Sequence, residues 1–454
     1  MCKVKSLLIV LFITNYFLTT QQAEVYEETF PEEEDKIKEF IFEETQTFLD
    51  KLNKKREKDK KEAITIEQIR NDLEVNEKNQ ILIDILNNFS ETLKNQNKNR
   101  KEEIEYIEID KKKYCYKLKI EAKNGIMFTS DTHADADMVE KIWYFFDQLK
   151  QKNEVDKLVF LGDYGDRGSY WTYTYFLLAA MAEKYGEDII FIRGNHEDRG
   201  IYEANWGIED HEECADNCWN GMPLICDITW NQKKIFCSHG AMPINKNGEW
   251  LKYEGTNELS QEPIFLANWN ENMFTEEPTQ NIEPTGRGSG YAIPVKTIFD
   301  NMVNKGYDWS IHGHVHQNQC GILKNKNKRV VTIVANKFYY NKYNNPFLPA
   351  VYIIKQDNPN GTFFNLLQKQ NERIKGYYEK NPTKGKVLNN CVIYEYNFEL
   401  QKTNEKINEF DKENQTNEEE QNNKVINQEN HNEEKKIVHN ILKTIYCCCD
   451  ICEK

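Results

Sequence analysis

Residues 159–171 read VFLGDYGDRGSYW, a short apolar run that ends in Asp163, Asp166, Arg167 and several glycines. A core strand with two acids and a cation at its mouth has two readings. One is a turn stapled by Asp166 and Arg167. The other is a metal-bridging aspartate whose neighbours handle a phosphate. Four other segments repeat the design of an apolar run ending in metal-ligand residue types: GIMFTSDTH (125–133), DIIFIRGNHE (188–197), KKIFCSHG (233–240) and DWSIHGHVH (308–316). Ligands of open α/β sheets bind beyond the carboxyl ends of the strands. The five segments therefore predict one rim that gathers Asp131, His133, Asp163, Asp166, Arg167, Asn195, His196, His239, His314 and His316.

The chain has nine histidines, and five lie at these strand ends with His312 adjacent. A lone histidine is most simply a hydrogen-bonded core residue. A mixed His/Asp cluster on five strands is the donor set that divalent transition metals need. Asp131 and His133 are two apart, so along an extended strand end they point the same way. Gly162, Gly168 and Gly194 allow tight turns beside a metal.

SDTHAD, GDYGDRG, RGNHE, SHGA and GHVH, in that order, resemble the motifs of the calcineurin-like metallophosphoesterase superfamily. GDYGDRG and RGNHE most resemble the PPP family of serine/threonine protein phosphatases, and RGSGYAI (287–293) is similar to the PPP segment carrying a phosphate-binding arginine. The resemblance spans roughly residues 124 to 357. It implies an αββα sandwich with a two-metal site at the carboxyl ends of the central strands. Asp131 and His133 would bind the first metal, Asp163 would bridge both, and Asn195, His239 and His314 would bind the second. His316 matches a first-metal ligand of the wider superfamily, whereas PPP phosphatases keep only the first histidine of that pair; it would otherwise lie beside the ligands. His196 would be the general acid. Asp166 would orient it and raise its pKa. Arg167 and Arg287 would grip phosphate oxygens, with Asn195 also close to the substrate.

The implied chemistry is in-line attack on phosphorus by a hydroxide shared between metals about 3.5–4 Å apart. The donor set admits Mn, Fe, Zn or Mg. The implied substrate is a phosphoserine or phosphothreonine protein. Alternatives are a nucleotide or dinucleoside polyphosphate hydrolase and a phosphotyrosine-active relative with the same metal site; a non-catalytic binding module would have lost ligands that this chain keeps. Several positions depart from the PPP pattern: Ser130, Ala134, Gly165, Ala241 and, at the usual tyrosine position, Phe338.

The rest of the 454 residues frames this core. Net charge is −15, which argues against nucleic-acid partners. Residues 1–23 have the layout of a secretory signal peptide, with an uncleaved anchor as alternative, and place the protein in the secretory pathway, an organelle lumen or outside the cell. No other segment approaches transmembrane length. Residues 24–105 form a charged helical extension, with Ile37, Phe40, Ile41, Phe48 and Leu52 along one stripe. It either packs on the main domain or acts as a regulatory segment. The catalytic α/β domain is expected at 106–357, an extension with strand-like pieces at 358–400, and a disordered acidic, Asn-rich tail ending in a cysteine cluster at 401–454. Cys214, Cys218, Cys226 and Cys237 could pair in an oxidising compartment. Sequons occur at Asn88, Asn360 and Asn414.

Overall fold

The computed structural model describes residues 34–71, 75–100, 103–109, 112–198, 212–251, 266–272, 281–286, 290–316, 320–337, 349–367, 386–388 and 391–396. The expected signal segment, the acidic tail, Arg287 and Phe338 lie outside them.

Two sheets stack face to face. One has five strands in the order β15-β14-β3-β4-β5, with β3 (Gly125–Thr129), β4 (Lys157–Phe160), β5 (Ile189–Phe191), β14 (Ala350–Lys355) and β15 (Asn358–Asn365). The other has nine, in the order β1-β2-β6-β7-β11-β13-β12-β17-β16, its flanks being β1 (Ile104–Ile109) and β2 (Lys112–Ala122) on one side and β12 (Gly321–Asn325), β17 (Cys391–Tyr396) and β16 (Lys386–Leu388) on the other. Its centre holds β6 (Ile225–Trp230), β7 (Lys233–Ser238), β11 (Trp309–His312) and β13 (Lys328–Thr332). Strands β3, β4 and β5 run parallel, as do β7, β11 and β13. Strands buried on both faces need apolar side chains in every direction, which is why these segments read as unbroken hydrophobic runs. Ile126, Phe128, Val159, Leu161 and Ile190 meet Ile228, Ile235, Trp309 and Ile311 in the core between the sheets.

Helices cover both outer faces. Helix α7 (Val295–Lys305) lays Ile298, Phe299 and Met302 on the nine-stranded sheet. The five-stranded sheet carries α4 (Ala136–Gln151), α5 (Trp171–Tyr185) and α6 (Glu212–Trp219), together with α1 (Glu34–Lys58), α2 (Ile66–Arg70) and α3 (Val75–Asn99), in one core cluster. The stripe expected on α1 faces inward: Ile37, Ile41, Phe48 and Leu52 are buried, and Phe40 packs edge-on to Trp143 and Tyr144. Phe89 of α3 meets Phe191 of β5 at 5.1 Å, and the Gln96 amide donates to the Ala182 carbonyl. The extension is thus part of the α layer. None of the described helices is long and apolar enough to cross a membrane.

The sheets run past the boundary expected at residue 357. β15 pairs with β14 through a two-residue turn, and β17 (Cys391–Tyr396) pairs with β12 (Gly321–Asn325). Pro359 sits in β15 without breaking the sheet because β15 is an edge, where a proline without an N–H is tolerated. The four cysteines expected to pair are thiols here, although Cys226 and Cys237 sit opposite each other across β6 and β7. The sequon at Asn88 is shut inside the fold: Asn88 donates to the Asp84 carbonyl and Ser90 to that of Asn217.

Candidate metal centre

The five ligand-bearing segments end at one place, but they come from both sheets. β3, β4 and β5 supply Asp131, His133, Asp163, Asp166, Asn195 and His196; β7 and β11 supply His239, His314 and His316. The loops leave the strands through left-handed backbone. Asp131, His133, Ala134, Asp163, Asp166, Arg167 and His314 all have positive φ between 44° and 66°. Such conformations cost of order 1 kcal/mol each for non-glycine residues and collect at functional sites. Two loops also touch backbone to backbone: a Cβ on Gly162 would lie 2.5 Å from the Gly194 Cα. Only glycines let the ends of β4 and β5 meet.

The donors form two groups that share Asp163. Asp131, His133, Asp163 and His316 bring one ligand atom each to within 4.8 Å of one another, as do Asp163, His239 and His314. In the first group His316 Nε2 lies 2.6 Å from Asp131 Oδ1 and 3.4 Å from His133 Nε2, and His133 Nε2 lies 3.6 Å from Asp163 Oδ2. In the second, Asn195 Oδ1 is 2.8 Å from His239 Nε2 and 2.9 Å from His314 Nδ1, and His239 Nε2 is 3.2 Å from Asp163 Oδ1. Donors around a cation at about 2.1 Å are spaced by roughly 3–3.5 Å. The spacings of both groups, from 2.6 to 3.6 Å, bracket that value. Asp163 Oδ2 supplies a second test, being a buried oxygen with no hydrogen-bond partner among the described residues. A buried carboxylate oxygen is costly to leave unsatisfied, and a cation on that side would satisfy it. His316 falls in the first group.

The ligands are held from behind. His239 Nδ1 points at the Leu161 carbonyl at 2.8 Å, which leaves Nε2 for a metal. Ser130, at one of the departing positions, donates Oγ to Asp131 Oδ2 at 2.5 Å, and Asn336 donates to the Asp131 carbonyl at 2.5 Å. Trp269 stands edge-on to His314 at 5.7 Å.

Beside the first group is a third cluster, His133, Asp166 and His196. Asp166 is shared: Oδ1 lies 2.9 Å from His133 Nδ1 and Oδ2 2.5 Å from His196 Nδ1. Arg167 Nη2 is 2.9 Å from His196 Nε2, and about a third of the Arg167 side chain is open to solvent. The salt-bridge alternative for the opening stretch is weak, since the closest Arg167–Asp166 approach is 3.9 Å. The expectation that Asp166 raises the pKa of His196 is half met. The carboxylates of Asp166 and Asp163 do push it up, but burial pushes harder in the other direction, and His196 ends below its ordinary value. Burial also disfavours charge on Asp163, yet the imidazoles of His239, His196 and His133 outweigh it and hold that carboxyl well below the usual range.

One residue of the site carries no expected role. Glu197 closes RGNHE and is fully buried beneath the two loops. Burial first, then the Asp163 carboxylate, pushes its pKa up to about 7. The motif marks the position, but a lone acid after a histidine gives no sign of what it binds.

Residues 125–318 match the calcineurin-like phosphoesterase family. Over 153 aligned residues, 29% of this chain, the sequence is 32% identical to serine/threonine-protein phosphatase BSL2 of Arabidopsis thaliana. The chain covers only 14% of that relative's length. Among solved structures, a protein serine/threonine phosphatase from Saccharomyces cerevisiae with similarity to human phosphatase PP5 aligns at 14% identity over 62% of this chain and 90% of that one, with a TM-score of 0.43. The cold-active protein-tyrosine phosphatase of a psychrophilic Shewanella aligns at 12% identity over 54% and 82%, with a TM-score of 0.33. The sequence match falls on the very strands and loops that converge at the rim, and residues 125–318 are a calcineurin-like metallophosphoesterase domain.

Proposed function

We propose that the protein is a metal-dependent phosphomonoesterase that hydrolyses phosphoserine and phosphothreonine on proteins. The observation that carries the proposal is Asp163 shared between two donor groups, with His196, Asp166 and Arg167 ranged along the side of the first. Divalent cations held by Asp131, His133, Asp163 and His316 on one side and by Asp163, Asn195, His239 and His314 on the other would supply Lewis-acid polarisation of the phosphoryl oxygens and activation of water at neutral pH.

The chain's own groups do the rest. Arg167 is open enough to solvent to meet a phosphate, and its planar guanidinium suits two phosphate oxygens. In doing so it leaves His196 Nε2, which then faces the leaving oxygen. Asp166 holds the proton on His196 Nδ1 and so fixes which nitrogen serves the substrate. A serine or threonine alkoxide is a poor leaving group, so a proton from His196 is worth most on that substrate class. His196 and Asp166 are buried, which strengthens their bond by excluding water. The PPP-like GDYGDRG and RGNHE segments support the protein substrate over a nucleotide.

The test is a substrate panel on the purified full chain loaded in turn with Mn, Fe or Zn: a phosphoserine peptide, a phosphothreonine peptide, a phosphotyrosine peptide, diadenosine polyphosphate and para-nitrophenyl phosphate. The expected result is preference for the phosphoserine and phosphothreonine peptides. Turnover of the dinucleotide without turnover of either peptide would refute the substrate assignment while keeping the metal chemistry.

A further inference from the structure

The Glu197 carboxylate turns back under the rim and takes three backbone N–H groups. Oε2 accepts from Asp163 N at 2.8 Å and from Gly194 N at 2.9 Å; Oε1 accepts from Tyr164 N at 2.9 Å. None of the described lysines or arginines forms an ion pair with it. The residue's own backbone is tied as well, since Arg193 Nε donates to the Glu197 carbonyl at 2.9 Å. Tyr164 reinforces the link from the other loop, its hydroxyl donating to the Ile192 carbonyl at 2.6 Å.

A fully buried carboxylate with no lysine or arginine paired to it is expensive to keep. Its choice of partners shows what it does. One donor is the backbone of Asp163, the residue common to both donor groups, whose φ of +57° is itself unfavourable. A second is the next residue, Tyr164, and the third is Gly194, immediately before the ligand Asn195. A single carboxylate therefore ties the loop after β4 to the loop after β5 at the two points that carry shared and second-group ligands. We propose that Glu197 is a positioning residue that sets the separation of the two metal sites by clamping the Asp163–Tyr164 backbone to that of Gly194, the residue before the ligand Asn195. The proposal rests on the reading of the two donor groups as one dinuclear centre. Both Glu197 oxygens are spent on backbone N–H groups, so its effect must appear in how the pair of metals is held.

The experiment uses the full chain and Mn(II), whose paired ions give an exchange-coupled paramagnetic resonance spectrum distinct from that of isolated ions. Glu197→Gln keeps the shape but replaces one accepting oxygen with an NH2 that faces N–H donors. Ile298→Ala, in the core under α7 on the opposite face of the sandwich, serves as a control for general destabilisation. Wild type and Ile298→Ala are expected to bind two Mn(II) with the coupled signal. Glu197→Gln is expected to bind Mn(II) about 10–100-fold more weakly, the range for partners that hold ligands in place, and to show an altered coupling at saturation. Glu197→Asp, shorter by one methylene but still a carboxylate, should fall between, and it decides the matter where Glu197→Gln does not fold. A coupled pair of wild-type affinity in the glutamate variants would overturn the clamp alone. A wild type with no coupled pair would remove the dinuclear reading, and the clamp with it.

Discussion

Asp166 serves two histidines, and replacing it separates their roles. In Asp166→Asn the side chain keeps one accepting oxygen and gains an NH2. The carboxylate now lies 2.9 Å from His133 Nδ1 and 2.5 Å from His196 Nδ1, and in each case the imidazole is the donor when Nε2 must stay open. Whichever way the amide turns, one imidazole faces a donor and loses its fixed tautomer, and the other exchanges a charged acceptor for a neutral, weaker one, so both histidines lose support. Loss at His196 removes an oriented general acid, worth about 10²–10⁴ in rate. Loss at His133 removes the support of a metal ligand, worth about 10–100-fold in metal affinity. The assay measures kcat against Mn(II) concentration on a phosphoserine peptide and on para-nitrophenyl phosphate. The peptide, which leaves as an alkoxide, should lose about 10²–10⁴; the nitrophenyl ester, which leaves as a stabilised phenolate, should lose far less. The Mn(II) needed for half-maximal activity should rise about 10–100-fold with both. Equal losses on the two substrates would refute the acid role, and an unchanged Mn(II) requirement would refute the bond to His133.

Three further outcomes are expected. Phe89→Ala empties a fully buried site against Phe191 and should cost about 3–5 kcal/mol in urea unfolding within one cooperative transition; a loss below about 1 kcal/mol would mean that α3 docks loosely. Gly194→Ala places a Cβ 2.3 Å from Asp163 N and should abolish tight Mn(II) binding, whereas Gly186→Ala, with φ +57°, ψ −122° and nothing within 4 Å, should leave Mn(II) binding intact and cost about 1–3 kcal/mol of stability; equal Mn(II) affinities by titration would contradict the close contact of the two loops. Asp188 is half-buried, and although burial pushes its carboxyl up, Lys150 and Lys157 bring it below 3.8. A depressed carboxylate adds stability above its unfolded pKa and loses it as pH falls through the folded value, so the melting-temperature loss of Asp188→Asn should be present at pH 7 and shrink below about pH 4.

The ligand residues were legible because each ends an apolar run, and five such endings in one chain leave little room for accident. Their division between two sheets was not, since a run of Val, Ile and Phe does not say which strand it will pair with. Glu197 was hidden for another reason. It is one of 74 acids, and its function lies in backbone N–H groups that converge only after β4 and β5 are side by side. The Ser130 departure finds an explanation in its bond to Asp131; Gly165 finds none.

Each donor group draws on both sheets: Asp131, His133 and Asp163 from one with His316 from the other, and Asp163 and Asn195 from one with His239 and His314 from the other. The distance between those donors is therefore governed by the thickness of the apolar filling between the sheets. Metals bound there would act as rivets through a laminate, resisting slip of one layer over the other. By the same link, a methylene gained or lost at Val159 or Ile311, a few residues back along the strands that end in Asp163 and His314, becomes a change in ligand spacing at the rim. The protein's interior is in that sense the gauge block against which its chemistry is set.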